Sequence, residues 1–165
     1  MKKLEFVNNK KDEDIQRRIL AIERSRELCM VKLVESVHYE IYKEYEVVLL
    51  KIKSSDQIVP VGDFYGDIEK VIISPTEEYC IMAGCGVIIY QLKAPYTPYE
   101  YEKNTNQWKE WYRDGSIWIT NIVLENDILT MQMETGDEKT INIKTTNAEN
   151  KKKLVIAIIG ENKKK

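Results

Sequence analysis

Residues 68–92 have the sequence IEKVIISPTEEYCIMAGCGVIIYQL, in which three apolar runs are separated by two turn signals. The first run ends at Ser74-Pro75, and a proline in the second position of a turn already has the backbone angle that the turn needs. The second run ends at Gly84-Cys85-Gly86, where two glycines permit a tight reversal or a bulge. The segment therefore predicts an antiparallel hairpin extended by a third strand. The predicted strands are 68–74, 79–83 and 87–92.

The chain beyond this segment returns to strands after a long connection. Pro95 and Pro98 predict that 94–115 is mostly irregular, with a short helix at 105–112. Three further β-rich runs are separated only by short polar turns, and this spacing predicts a C-terminal meander. The runs are Ser116–Leu124, Ile128–Glu134 and Lys139–Lys144, and a last apolar run, Leu154–Ile159, is either a strand or a buried helical turn.

Toward the N-terminus, residues 12–28 predict a helix. Ile15, Ile19 and Ile22 recur at the spacing that places them on one helix face, and Asp12 can cap the helix. We expect this apolar stripe to pack on a face or an edge of the sheet.

The next segments are predicted from their periodicity. Residues 31–41 alternate apolar and polar side chains and so favour a half-buried strand. The alternative is that the helix continues to about residue 44, because residues 12–44 contain no Gly or Pro that would end it. The run Val47–Ile52 has no alternation and indicates a strand buried on both faces. Residues 56–66 contain Pro60 and two glycines, which predict a loop.

Together these patterns predict one α+β domain over residues 1–165, with an N-terminal helix packed on a mostly antiparallel sheet or half-barrel and a C-terminal meander. We expect about six to eight strands. The Lys-rich C-terminal end is expected to be disordered from about residue 160.

Composition excludes several function classes. The net charge of −2 argues against a general nucleic-acid binder. Three cysteines, an odd number, argue against a complete disulfide framework. The first residues contain no signal-like apolar run, and the run 154–159 is too short to span a bilayer. We therefore expect a cytoplasmic protein with reduced thiols and no membrane partner.

Side chains that could carry out chemistry lack the partners that the chemistry requires. His38 is the only histidine, and neither a catalytic triad nor a metal site is visible around it. Cys80 and Cys85 have neither redox nor zinc-ligand spacing, and Gly84-x-Gly86 lacks the third glycine of a dinucleotide loop. The sequence thus predicts no catalytic residues, no metal site and no cofactor, and the chain is not expected to be an enzyme.

One region combines acidic and aromatic side chains. Residues 93–138 contain four basic and nine acidic residues, a net charge of −5, while residues 139–165 have a net charge of +6. Tyrosine and tryptophan are enriched in binding hot spots, so an acidic aromatic surface is a candidate partner-binding site. The alternative is that these aromatic residues close one end of the core. The candidate binding residues are Tyr96, Tyr99, Glu100, Tyr101, Glu102, Trp108, Glu110, Trp111 and Asp114.

The segments Tyr96–Glu102 and Gln107–Trp118 give the chain a general resemblance to a known class of protein. A small Tyr- and Trp-rich domain with an acidic aromatic surface is similar to the bacterial immunity proteins of polymorphic or contact-dependent toxin systems. The resemblance implies a protein that blocks a cognate toxin by binding it. It covers less than a fifth of the chain and involves no diagnostic motif.

Two other function classes stay open. A helix and a meander can enclose an apolar cavity for a small ligand. An unpaired edge strand could instead join two copies of the chain, which would give it a structural or assembly role.

Overall fold

The computed structural model describes residues 2–103 and 105–144, and the side chains of 2–11 and 26–28 lie outside that description. Within these residues one helix is followed by eleven strands. The elements are α1 (Lys2–Cys29), β1 (Val31–Glu35), β2 (Tyr39–Glu44), β3 (Val47–Ile52), β4 (Gln57–Asp63), β5 (Lys70–Ile73), β6 (Tyr79–Gly84), β7 (Gly86–Gln91), β8 (Trp108–Trp111), β9 (Ile119–Glu125), β10 (Ile128–Met133) and β11 (Glu138–Asn142).

The described strands form three antiparallel sheets, with the orders β1-β2-β3-β4, β5-β6-β7-β8 and β11-β10-β9. The predicted α+β class with antiparallel strands is therefore confirmed, as are the hairpin at 68–92 and the C-terminal meander. The strands are more numerous than expected and are divided among three sheets. Leu154–Ile159 and the Lys-rich end lie outside the described residues.

The sheet containing β6 and β7 is the middle layer of the molecule. Cys80 and Met82 of β6 pack into one buried cluster with the first sheet, while Ile81 and Ala83 pack into a second cluster with the meander. Successive side chains of a strand point to opposite faces, so this strand contributes to two cores at once. Its residues are accordingly almost all buried, and the same holds for β7.

The helix begins ten residues earlier than predicted, and its side chains from 12 to 25 do not pack on a sheet. Every residue from 12 to 25 is exposed, including Ile15, Ile19 and Ile22. The prediction that this stripe covers a sheet is therefore wrong. The facing sides of the three sheets are buried against one another, without a contribution from these helix residues.

Residues 31–41 are extended as predicted, and the alternative of a helix to residue 44 is wrong. They form two strands, because the chain reverses at 36–38 and pairs Glu35 with Glu40. The reversal contains no Gly or Pro, so the sequence does not signal it. The next strand, β3, alternates buried and half-buried residues, which corrects the expectation that both of its faces are buried.

Two segments that were predicted as loop and helix are edge strands. Residues 57–63 form β4, where Pro60 is accommodated beside an irregularity in the register with β3. The Pro60 carbonyl accepts a hydrogen bond from the Tyr99 backbone N–H at 2.8 Å. Residues 108–111 form β8, which pairs with β7 in the register Trp108 to Tyr90. The predicted helix at 105–112 is therefore wrong.

Candidate functional site

A cleft of about 600 Å³, open to solvent, lies where several loops meet at one end of the sheets. Its walls come from the turn between β2 and β3, the loop after β4, the segment after Tyr99 and the turn after β8. The lining residues are Glu46, Asp63, Phe64, Tyr65, Cys85, Tyr101, Arg113, Asp114 and Gly115.

Arg113 forms the floor of this cleft, and its side chain is only 9% exposed. Its two terminal nitrogens donate to the backbone carbonyls of Cys85 and Asp63, and its guanidinium lies 4.4 Å from the centre of the Phe64 ring. Its Nε is 3.4 Å from the Glu110 carboxylate. The planar guanidinium thus connects the two four-stranded sheets with the turn after β8. Its positive charge is balanced by Glu110 and by backbone carbonyls of the protein itself.

Glu110 connects this floor to the buried aromatic residues. Its carboxylate accepts a hydrogen bond from the Tyr99 hydroxyl and one from the Glu102 backbone N–H at 2.9 Å. Burial, and then the Glu110 carboxylate, raises the pKa of Tyr99, so the phenol stays protonated as the donor. Glu110 therefore holds the chain at 99–102 against Arg113.

The cleft opening is surrounded by carboxylates and tyrosines, and we call Glu46, Asp63, Tyr65, Tyr101 and Asp114 the acidic aromatic rim. Tyr65 and Tyr101 are 82% and 52% exposed. Hydrogen bonds from Ser116 hold the pKa of Asp114 below its ordinary value, so this carboxylate is charged at neutral pH. The rim therefore presents negative charge next to exposed aromatic surface.

Backbone contacts fix the loops that form the rim. Phe64 N–H donates to the Glu46 carbonyl at 3.0 Å, and Gly66 N–H donates to the Glu46 carboxylate at 2.9 Å. A Cβ on Gly66 would lie 2.9 Å from the Trp118 ring, so the loop after β4 packs closely against that indole. The rim is thus held in place before any partner arrives.

A second cleft of about 330 Å³ adjoins the rim on the other side of Glu46. It is lined by Cys29, Val31, Lys43, Tyr45, Glu46, Gly66 and Asp67. Tyr45 is exposed, whereas the Asp67 carboxylate lies 3.7 Å from Lys43 Nζ, so its charge is paired within the cleft. The second cleft therefore adds exposed aromatic surface beside the rim.

The nine candidate residues predicted from the sequence are divided by the structure. Tyr99 and Trp108 are buried in the first core, and Tyr96, Glu110 and Trp111 are partly buried. Glu100, Tyr101, Glu102 and Asp114 are exposed, and of these Tyr101 and Asp114 line the cleft. For Tyr99 and Trp108, the alternative of core packing is the correct one.

Sequence reasoning missed Glu46, Asp63 and Tyr65, which come from two other loops. A sequence pattern could have identified Asp63 and Tyr65. The residues Asp63-Phe64-Tyr65-Gly66-Asp67 combine acidic and aromatic side chains, as residues 96–102 do. What the sequence does not contain is the proximity of these loops to Tyr101.

Within the described ranges, no group of three or more His, Cys, Asp or Glu side chains is arranged to hold a metal ion. The described helix is neither long enough in its apolar part nor apolar enough to cross a membrane. No protein-family model matches the chain, and no match was found among curated proteins or solved structures.

Proposed function

We propose that this chain is a non-enzymatic protein-binding domain that engages a basic partner through the acidic aromatic rim. The observation that supports this proposal best is the pairing of exposed tyrosines, Tyr65 and Tyr101, with the carboxylates of Asp63 and Asp114 around one open cleft. Exposed aromatic side chains that are held on fixed loops are the usual anchors of protein interfaces.

The charge of the rim favours a cationic partner. Glu46, Asp63 and Asp114 line the opening, whereas Arg113, the one cation among the described lining residues, is bound by carbonyls and by Glu110 at the floor. Potentials that are complementary across an interface raise the association rate and exclude like-charged competitors. A Lys- or Arg-rich surface is therefore the partner chemistry that the rim fits.

The acidic aromatic surface is also what supports an inhibitory role. A toxin that acts on nucleic acid needs a basic active cleft, and an acidic protein surface can occupy such a cleft. We propose on this ground that the chain is an immunity protein that blocks a cognate bacterial toxin in the cytoplasm. The three free cysteines fit a reducing compartment.

The experiment expresses the product of the gene next to that of this chain, first alone and then together with this chain. We expect that product to stop growth when expressed alone, and co-expression of this chain to restore growth. The double variant Asp63→Lys/Asp114→Lys should weaken binding of the purified proteins by about tenfold or more, because both charges oppose the basic partner.

A matched control makes the same charge change elsewhere. Glu125→Lys/Asp137→Lys alters two exposed carboxylates of the meander and should bind as the wild type does. A neighbour that is harmless alone would contradict the immunity role. Equal binding by both double variants would contradict the rim as the binding surface.

Small-ligand binding is the second candidate, because 600 Å³ lies within the range of ligand pockets. The cleft is open and its rim is charged, whereas such pockets are mostly enclosed and apolar. A ligand that raises the melting temperature of the wild type but not of Tyr101→Ala would favour this alternative over a protein partner.

A further inference from the structure

The acidic aromatic rim carries negative charge that the cations of the two clefts do not balance. Arg113 on the floor is bound by Glu110 and by two backbone carbonyls. In the second cleft, the Lys43 ammonium lies 3.7 Å from the Asp67 carboxylate. These are the two cations among the described residues that line the clefts. The three carboxylates of the rim therefore attract cations from outside the clefts.

Residues 145–165 have the complementary pattern in their sequence. They contain six lysines and two glutamates, a net charge of +4. The lysines form two triplets, 151–153 and 163–165, on either side of the apolar run Leu154–Ile159. An apolar centre between cations matches a surface on which carboxylates surround exposed tyrosines, in both charge and hydrophobicity.

The segment is long enough to reach the rim of its own molecule. The ammonium of Lys144, the last described residue, lies 3.8 Å from the Glu78 carboxylate and 3.1 Å from that of Asp127. Glu78 immediately precedes β6, and Cys85, which lines the cleft, immediately follows it. A strand rises about 3.3 Å per residue, so Lys144 and the cleft are roughly 23 Å apart. The ten residues from Lys144 to Leu154 can span up to about 35 Å, which is enough.

We infer that residues 151–165 occupy the acidic aromatic rim of the same chain and are displaced when a basic partner binds. The lysines lie beside the rim carboxylates, and the apolar run covers Tyr65 and Tyr101. The inference rests on the proposed function in one respect, namely that the rim is a surface for cationic groups, and it assigns a regulation to that surface.

Tethering makes even a weak contact sufficient for this regulation. A segment tethered near its site is present there at a local concentration on the order of 1 mM. A contact with a dissociation constant of about 0.1 mM would then leave only about one rim in eleven free. The apparent dissociation constant of an external partner is its intrinsic value divided by the free fraction, so it rises about tenfold.

The first test is cross-linking of the full chain with a carbodiimide, which joins a lysine amine to a carboxylate when the two are in contact. We expect lysines of 151–153 and 163–165 to be joined to Asp63, Asp114 or Glu46 in monomeric protein, as read by mass spectrometry of peptides. Asp137 is the matched control, because it is exposed and lies one strand length from Lys144 across β11, as the rim does across β6. Its yield should be several-fold lower.

Three cross-linking results would overturn the inference. A yield at the rim no higher than at Asp137 would mean that the segment does not dock there. Cross-links from these lysines to residues 12–14 in place of the rim would mean that the segment lies on α1. Cross-links to the rim that occur only in dimers would mean that the segment belongs to a second copy.

The second test measures how the segment competes with an external cation, with the peptide hexalysine as the probe. The full chain with glutamine in place of the six lysines of 151–165 should bind hexalysine up to about tenfold more tightly than the wild type. Ile156→Ser/Ile158→Ser leaves the net charge unchanged and should also bind the probe more tightly, which separates release of the segment from a change in overall charge.

The outcomes distinguish this inference from the proposed function. Binding of hexalysine that Asp63→Lys/Asp114→Lys abolishes, but that is equally tight in the wild type and in both segment variants, would overturn the occupancy and leave the binding role of the rim in place. Cross-links at the rim, together with a neighbouring gene product that is harmless alone, would support the occupancy and contradict the immunity role.

Discussion

His38 and Glu77 connect two turns that belong to different sheets. His38 Nδ1 lies 2.5 Å from the Glu77 carboxylate, whose other oxygen accepts the His38 backbone N–H at 3.0 Å. The contact joins the turn between β1 and β2 to the turn between β5 and β6. The Glu77 carboxylate thus accepts two hydrogen bonds from His38, a residue 39 positions away in the sequence.

This carboxylate makes stability depend on pH in the acid range. Hydrogen bonds from the His38 side chain and from the His38 backbone N–H lower the pKa of Glu77 to about 2. A carboxyl with a lower pKa in the folded state stabilises the fold above its unfolded pKa and loses that contribution as pH falls. The free energy of unfolding of Glu77→Gln should therefore be below that of the wild type at neutral pH, and the difference should shrink from about pH 4.5 to about pH 2.

Urea unfolding at a series of pH values measures the difference. Glu78→Gln is the matched control, because it removes the neighbouring carboxylate from the same turn without removing the acceptor for His38. A difference between the wild type and Glu77→Gln that stays constant from neutral pH to pH 2 would show that the contact does not form in solution.

The turn between β6 and β7 packs closely against the turn that follows β8. Gly86 has φ of +81°, and a Cβ there would lie 2.5 Å from the Tyr112 carbonyl oxygen and 2.6 Å from that of Trp111. Gly136, in the turn between β10 and β11, has φ of +89° but no atom within 4 Å of its Cβ position. The two glycines therefore share a backbone conformation and differ in the space around them.

Alanine substitutions at Gly136 and Gly86 can therefore distinguish the cost of a left-handed backbone conformation from the additional cost of steric overlap. Gly136→Ala should lower the free energy of unfolding by roughly 1–2 kcal/mol, the cost of a left-handed conformation. Gly86→Ala should cost about 3 kcal/mol or more, because the backbone of the turn after β8 must also move. Equal losses in chemical denaturation would mean that this turn does not press on Gly86.

The elements that the sequence predicts well are those marked by local signals. Pro75 and Gly86 delimit the central hairpin, and its strands lie within a few residues of their predicted limits. Asn126 and Asp127, both with positive φ, form the tight turn that their types favour. In each case the signal and the structure involve the same few residues.

The elements that the sequence misses are set by distant contacts. Pro60 and Gly62 suggest a loop, yet a Cβ on Gly62 would lie 3.1 Å from Met82 Sδ, so this glycine permits β4 to pack closely on the middle sheet. Trp108 and Trp111 have helical spacing, yet pairing with β7 makes them a strand. The rim is missed for the same reason, because only the folded chain brings Tyr65 and Tyr101 to the same cleft.

The two buried clusters distinguish the described elements that contribute to the core from the one that does not. Ile81 and Val87 of the middle sheet share a cluster with Ile122 and Leu129 of the meander. Neither cluster contains a residue of α1 among the residues that the structure describes. The meander is therefore part of the core, whereas the described part of the helix is not.

Deletion of residues 1–29 should therefore leave the stability of the three sheets nearly unchanged. None of the described side chains from 12 to 25 is buried, so we expect the free energy of unfolding to change by at most about 0.5 kcal/mol, the usual effect of surface changes. Tryptophan fluorescence during urea unfolding measures this free energy, because all three tryptophans remain.

A chain that ends at residue 115 is the contrasting deletion. It lacks Ile122 and Leu129, which leaves one face of the middle sheet in water, and it should not fold cooperatively. A deletion of residues 1–29 that is as damaging as this truncation would mean that α1 packs on the sheets in solution.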